Sequence, residues 1–288
     1  MLKNRIWLAA AVGLVCGGMA VFGQPAAAVP VADPSLGKGK VIGLDQYFNH
    51  QVKAGVQFHY IWDDTAASGY SKFGQVWKDY GATLAKLETA PKRADLDKFS
   101  VYIIVNPSTV KNAADGKPNF VQPADADVVE SWVKDGGVLL LFMNDKNNTE
   151  FEHLNVLSGR FGITFNNDLR NQVPNANDRS PGTFAVNKLA PDEPLFKDLR
   201  SIYMKEISTL TLKDPAKPLL IADNEAKTGK DVIMATAKVG KGFVFAVGDP
   251  WIYNEYIDVA SPGLPLDNRR AAVNLVKWIL PMSSAPAK

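Results

Sequence analysis

Carboxylates, amides and aromatic rings recur in this sequence at one kind of place, directly after short apolar runs. The run ending at Leu44 is followed by Asp45-Gln46-Tyr47-Phe48-Asn49-His50. The run Val101–Val105 stops at Asn106-Pro107-Ser108, and Val138–Met143 stops at Asn144-Asp145. Gly242–Val247 leads into Gly248-Asp249-Pro250-Trp251, with Asn254 and Glu255 close behind. A further segment, His59-Tyr60-Ile61-Trp62-Asp63-Asp64, alternates rings and acids. Rings beside carboxylates and amides suit a sugar, because a ring covers the apolar face while polar groups bond the hydroxyls. The substrate-binding candidates are therefore Asp45, Tyr47, His50, His59, Trp62, Asp64, Asn144, Asp249, Trp251, Asn254 and Glu255. Arg170 joins them, since Arg160 or Arg170 could clamp a uronic acid carboxylate through a two-pronged bond. For acid–base work the candidates are Asp63, Asp145 and Glu152, because glycoside cleavage needs two carboxyls roughly 5–10 Å apart. Each of these residue types also caps helices and forms turns with no further role.

Other chemistries find little support. There is no G-x-S-x-G, no G-x-G-x-x-G after a strand and no P-loop. The three histidines, His50, His59 and His153, make no zincin pattern, and the spacing of His50, His59 and Asp63 is unspecific, so neither metal nor cofactor is expected. The single cysteine is Cys16, inside an N-terminal segment with the marks of an export signal. Lys3 and Arg5 precede an uncharged stretch, Ile6–Phe22, and small residues follow, so cleavage is expected after Ala28 or after Gly23. A periplasmic or secreted chain lacking that segment has no thiolate nucleophile and no disulfide. Removing Lys3 and Arg5 leaves 30 basic against 30 acidic residues, a balance that argues against nucleic acid or an anionic membrane surface as partner.

The apolar runs alternate with amphipathic segments. Tyr70, Phe73, Val76, Trp77 and Tyr80 fall at helical spacing before Gly81, and Val128, Val129, Trp132 and Val133 do so before Gly136. Glu150–Phe161 and Asn268–Leu280 read as further helices, Thr83–Leu87 as a strand, and Lys238-Val239-Gly240-Lys241 as the turn of a hairpin. Strand–helix alternation predicts an α/β fold, a mostly parallel sheet with helices on both faces. The expected organisation is a signal over residues 1–28, a flexible leader over 29–39, one domain over 40–282 and a tail over 283–288. Within the domain, residues 164–230 are rich in Asn, Asp and Pro and read as a β-rich insertion covering one end of the sheet. In such sheets ligands sit beyond the carboxyl ends of the strands, where the polar candidates cluster.

The strings VIGLDQYFNHQ, FHYIWDDTAASGYSKFGQVWKDYGA, YIIVNPST, VVESWVKDGGVLLLFMND, FEHLN and KGFVFAVGDPWIYNEYID occur in this order. In them the chain resembles the class I glutamine amidotransferase-like domain attached to bacterial unsaturated rhamnogalacturonyl hydrolases. The resemblance covers about residues 40–280 and implies a glutamine amidotransferase-like, flavodoxin-like fold in a setting of pectin breakdown. It does not bring the chemistry along. Asn144-Asp145 stands where the amidotransferase nucleophile would sit, and the helical barrel that carries the hydrolase reaction has no counterpart in the sequence. The expected function is recognition, with or without cleavage, of uronic-acid-containing oligosaccharides. The rival reading is an interaction module that docks on a separate hydrolase subunit through an apolar patch of residues 164–230.

Overall fold

The computed structural model describes residues 30–223 and 231–286. The expected signal segment and Cys16 lie outside them. Nine strands form one sheet: β1 (Val41–Asp45), β2 (Thr83–Leu87), β3 (Val101–Val105), β4 (Val138–Phe142), β5 (Ile163–Phe165), β6 (Leu210–Leu212), β7 (Ala216–Ala222), β8 (Asp231–Val239) and β9 (Gly242–Val247). Their order is β2-β1-β3-β4-β9-β8-β6-β5, with β7 also beside β8. The first five of that series run parallel to one another, and the others join antiparallel. The architecture is mostly parallel α/β with a flavodoxin-like strand order, in which the chain reverses direction across the sheet between β1 and β3.

Alternation along the strands builds a core on each face. Ile42, Leu44, Val101, Ile103, Val105, Leu140, Phe142, Phe245 and Val247 point to one side. There they meet Phe73, Val76 and Trp77 of α1 (Ser71–Asp79) and Leu275, Val276 and Ile279 of the closing helix, residues Asn268–Met282. Tyr102, Ile104, Leu139, Leu141, Val244 and Ala246 point to the other side, against Val129, Trp132 and Val133 of α2 (Pro123–Lys134) and Leu154 and Leu157 of α3 (Leu154–Ser158). The closing helix is α4. All five residues of β3 and of β4 are buried, as continuous apolar runs between two helical layers must be. No helix among the described residues is long and apolar enough to cross a membrane.

Three expected elements differ. The helix expected over Glu150–Phe161 is regular only over Leu154–Ser158, because the Glu150 carboxylate turns back to accept the His153 and Leu154 N–H groups as a cap. Part of the expected leader is docked: Gly37 N–H donates to the Tyr80 carbonyl at 2.8 Å, and Leu36 packs on the core. The insertion is less regular than expected. Its strands β6 and β7 widen the sheet, while residues 166–200 run as irregular loop broken by short helical turns and a two-residue strand.

Candidate functional site

Beyond the carboxyl end of β9 the chain makes a tight turn governed by Asp249. Its side chain is fully buried and joins two segments, accepting the Trp251 N–H at 2.8 Å and the Lys205 N–H at 3.1 Å. Gly248 makes this junction close: its carbonyl accepts the Ser208 N–H at 3.0 Å, and a Cβ on Gly248 would fall 1.8 Å from the Ser208 carbonyl oxygen. The segment 203–208 is thereby held against the strand end. Burial pushes the Asp249 carboxyl up to about 8, with the Trp251 and Lys205 N–H groups and the Lys205 charge only partly opposing it.

Trp251 stands on a polar base. Its indole N–H donates to the Tyr60 hydroxyl at 2.7 Å, and the Asn144 amide donates to the same oxygen at 3.2 Å. Tyr60 is buried and its phenol is pushed well above the ordinary range, so this oxygen is a neutral acceptor at physiological pH. Asn144 N–H in turn donates to Thr149 Oγ1, whose hydroxyl donates to Asn106 Oδ1. A chain of bonds thus links the carboxyl ends of β3, β4 and β9. The backbone at His59 and Tyr60 is left-handed at both residues, φ 68° and 59°, and the Asp64 carboxylate steadies this turn by accepting the His59 N–H. His59 stacks on Tyr60, and burial pushes its imidazole down to about 4, so it is neutral.

Outward from that base lies an aromatic platform whose rings meet edge to face, with Tyr203 buried behind Trp251 and Tyr256. Trp251 and Tyr256 have ring centroids 6.2 Å apart, and Tyr256 and Tyr203 4.9 Å apart. A cation flanks each end. Lys205 Nζ is 4.8 Å from the Trp251 ring, and the Arg179 guanidinium is 5.2 Å from Tyr203 and 5.8 Å from Tyr256. Trp251 and Tyr256 are half-buried, and Glu255 is exposed beside them.

Of the residues expected to bind substrate, Asn144, Asp249, Trp251, Asn254 and Glu255 come to this end of β9. Asn254 is buried there, its amide donating to the Ser68 carbonyl. The expected meeting of Tyr47, Trp62, Asn144 and Trp251 around one hollow does not occur. Trp62 is buried against Tyr70, Phe73 and Gly74, with its indole N–H bonded to the Ala85 carbonyl of the edge strand at 2.9 Å. Tyr47 packs on the opposite face of the sheet, with Phe48. Arg170 is also corrected: it is buried and pairs with Asp231 at 3.0 Å, so it cannot reach a ligand. Arg160 is engaged by Asp127 and Glu130.

The remaining acids mostly shape loops. Asp45 is fully buried and accepts the N–H groups of Tyr47, Phe48 and Asn49 together with the Tyr102 hydroxyl. Asp64 closes the 59–68 turn. Asp145 accepts the Asn147 N–H and the Asn148 amide, one on each oxygen. Glu152 is exposed. Asp63 is exposed on a groove of about 520 Å³ lined also by Trp62, Lys78 and Lys86, along edge strand β2 rather than at the carboxyl ends. His50 is fixed by its backbone, its N–H donating to Ser108 Oγ. Among the described residues, no three His, Cys, Asp or Glu side chains gather as a metal site. Sequence reading missed Tyr60, Arg179, Tyr203, Lys205 and Tyr256. Tyr60 and Tyr256 lie inside motifs it had singled out; the other three sit in the irregular insertion, where no periodicity pointed to them.

No family model matches the chain, and no curated protein matches it. Among solved structures it is similar to the mmIFT52 N-terminal domain, at 13% identity and TM-score 0.61, over 83% of this chain and 97% of that one. A thua-like protein from Bacteroides uniformis aligns at 15% identity and TM-score 0.44, over 89% of this chain and 95% of that one. The beta-galactosidase from Rahnella sp. R3 aligns at 12% identity and TM-score 0.49, over 83% of this chain but 31% of that one. At such identities the likeness to the mmIFT52 domain is one of fold alone, an open, mostly parallel α/β sheet flanked by helices.

Proposed function

We propose that this chain binds oligosaccharides at the carboxyl end of β9, and that its ligands are uronic-acid-containing, pectin-type chains met outside the cytoplasm. The observation that carries this reading is the platform Tyr203–Tyr256–Trp251 flanked by Arg179 and Lys205. The half-buried rings of Trp251 and Tyr256, which meet edge to face with Tyr203 buried behind them, suit the apolar face of a pyranose, and hydroxyls and carboxylates at the sugar rim would meet the flanking cations and Glu255. Binding without cleavage is the better supported form. Asp145, one of the expected acid–base groups, already has a donor on each oxygen, and Asp63 faces a different groove. Docking on a separate hydrolase has less support: Ile221 is the exposed large apolar side chain of the described insertion, and a lone residue is no docking patch.

Titration calorimetry of the purified chain against oligogalacturonides of two to six units tests the proposal. The wild type is expected to bind, and Trp251→Ala to weaken binding at least about tenfold, a typical loss for a stacked aromatic anchor. Absence of heat with every oligomer, or equal affinity of the variant, would count decisively against it.

A further inference from the structure

We propose that Arg179 is the specificity-determining residue of the platform, reading the carboxylate of an acidic sugar seated at Tyr256 and Trp251. This rests on the reading of the platform as an oligosaccharide site. Arg179 differs from the other arginines among the described residues. Arg93, Arg160, Arg170, Arg200, Arg269 and Arg270 each have a carboxylate within 4.0 Å. Arg179 has none among the described residues, although it is half-buried. Lys205, at the other end of the platform, already has its charge matched by Glu206 at 3.1 Å. Arg179 is therefore the one platform cation without a partner charge.

Its position is built rather than loose. The Arg179 carbonyl accepts the Gly182 N–H at 3.1 Å and the Thr183 hydroxyl at 2.9 Å. Gly182 lets this turn seat against the neighbouring segment, since a Cβ there would lie 2.5 Å from the Met204 carbonyl oxygen, and Thr183 pairs with Tyr203 in a short antiparallel bridge. The guanidinium is thus carried to the two tyrosine rings by hydrogen-bonded backbone. Arg179 also hydrogen-bonds the Tyr203 side chain, and its remaining N–H donors can present the parallel pair that matches a carboxylate. The surrounding charges select a singly charged group. Glu206 and Glu255 stand around the same rings, and a dianion such as a phosphate monoester would meet them with only one unmatched cation in return.

The test compares trigalacturonate with galactotriose, which has the same linkage register of hydroxyls but a neutral hydroxymethyl in place of each carboxylate, on the wild type, Arg179→Gln, Arg179→Lys and Trp251→Ala. Melting curves confirm that each variant is folded. The wild type is expected to prefer the acidic trimer by at least about tenfold, consistent with one desolvated charge-assisted pair. Arg179→Gln is expected to lose that preference, its affinity for trigalacturonate falling well beyond any loss for galactotriose, and Arg179→Lys to recover part of it. Trp251→Ala should weaken both sugars alike. Equal wild-type affinity for the two trimers, or an unchanged preference in Arg179→Gln, overturns the role of Arg179 while leaving the platform standing. If the wild type binds neither trimer, the platform reading falls and this inference with it.

Discussion

Two tryptophans show how one residue type divides between the core and the rim of the sheet. Trp62 and Trp251 both follow short polar motifs, yet one indole N–H is bonded to a backbone carbonyl of the edge strand and the other to a phenol at the rim. Trp62→Phe should keep most of the packing and remove one hydrogen bond, costing about 1 kcal/mol in urea denaturation with sugar affinity unchanged. A loss of binding in that variant would restore Trp62 to the site. Asp45 makes the complementary case. Its two oxygens serve three backbone N–H groups and the Tyr102 hydroxyl, so Asp45→Ala strands four buried or half-buried donors. The expected loss is about 3 kcal/mol or more, while Tyr102→Phe, which removes a single donor, should cost about 1 kcal/mol. Similar losses in the two variants would mean that water replaces the carboxylate.

At the scale of elements, the platform depends on the seam between the end of β9 and the segment 203–208. That segment comes from the insertion, and it supplies Tyr203 and Lys205 to rings and acids delivered by the β9 turn. The seam is closed by backbone contacts that only glycine permits at position 248. Gly248→Ala must push Ser208 away by more than a side-chain adjustment can absorb. We expect a loss of about 3 kcal/mol, the upper part of the range for overpacked interiors, together with weaker sugar binding. Gly159→Ala is the matched control, because nothing lies within 4 Å of a Cβ there. Equal melting temperatures for the two variants would show that the seam yields freely.

For the whole molecule, the buried titrating groups set the pH dependence of stability. Burial raises the Asp45 carboxyl to about 6 and the Asp249 carboxyl to about 8, against about 4 for an unfolded aspartate. The folded chain holds these protons where the unfolded chain has released them. The stability this confers is complete below about pH 4 and is lost as pH rises through each folded value. His59 acts oppositely, since burial lowers it to about 4 and stability falls as pH drops below about 6.5, the unfolded value. The opposing effects overlap below pH 6.5, which leaves Asp249 dominant above it. The melting temperature should therefore decline from pH 6.5 to pH 8.5, and Asp249→Asn should flatten that decline. A flat wild-type profile across this window would mean that Asp249 is ionised in the fold.

The sequence alone was enough for the parallel core and for the rim where polar groups gather. Both follow from local rules: short continuous apolar runs such as Val101–Val105 and Val138–Phe142, bounded by Gly, Asn and Ser, suit strands covered on both faces, and the chain leaves such strands through polar residues. It could also single out Trp251, Asn144 and Asp249, because each directly follows or nearly follows a strand. Which indole stays half-buried at the strand ends and which is locked in the core was a matter for the tertiary structure, since Trp62 and Trp251 differ in the partners that folding brings to them. The same holds for the charges. Arg170 and Arg179 look alike in the chain, and only the approach of Asp231, 61 residues away, separates a buried ion pair from an unmatched guanidinium. Side-chain pairing across such distances is a property of the packed fold, and no local periodicity carries it.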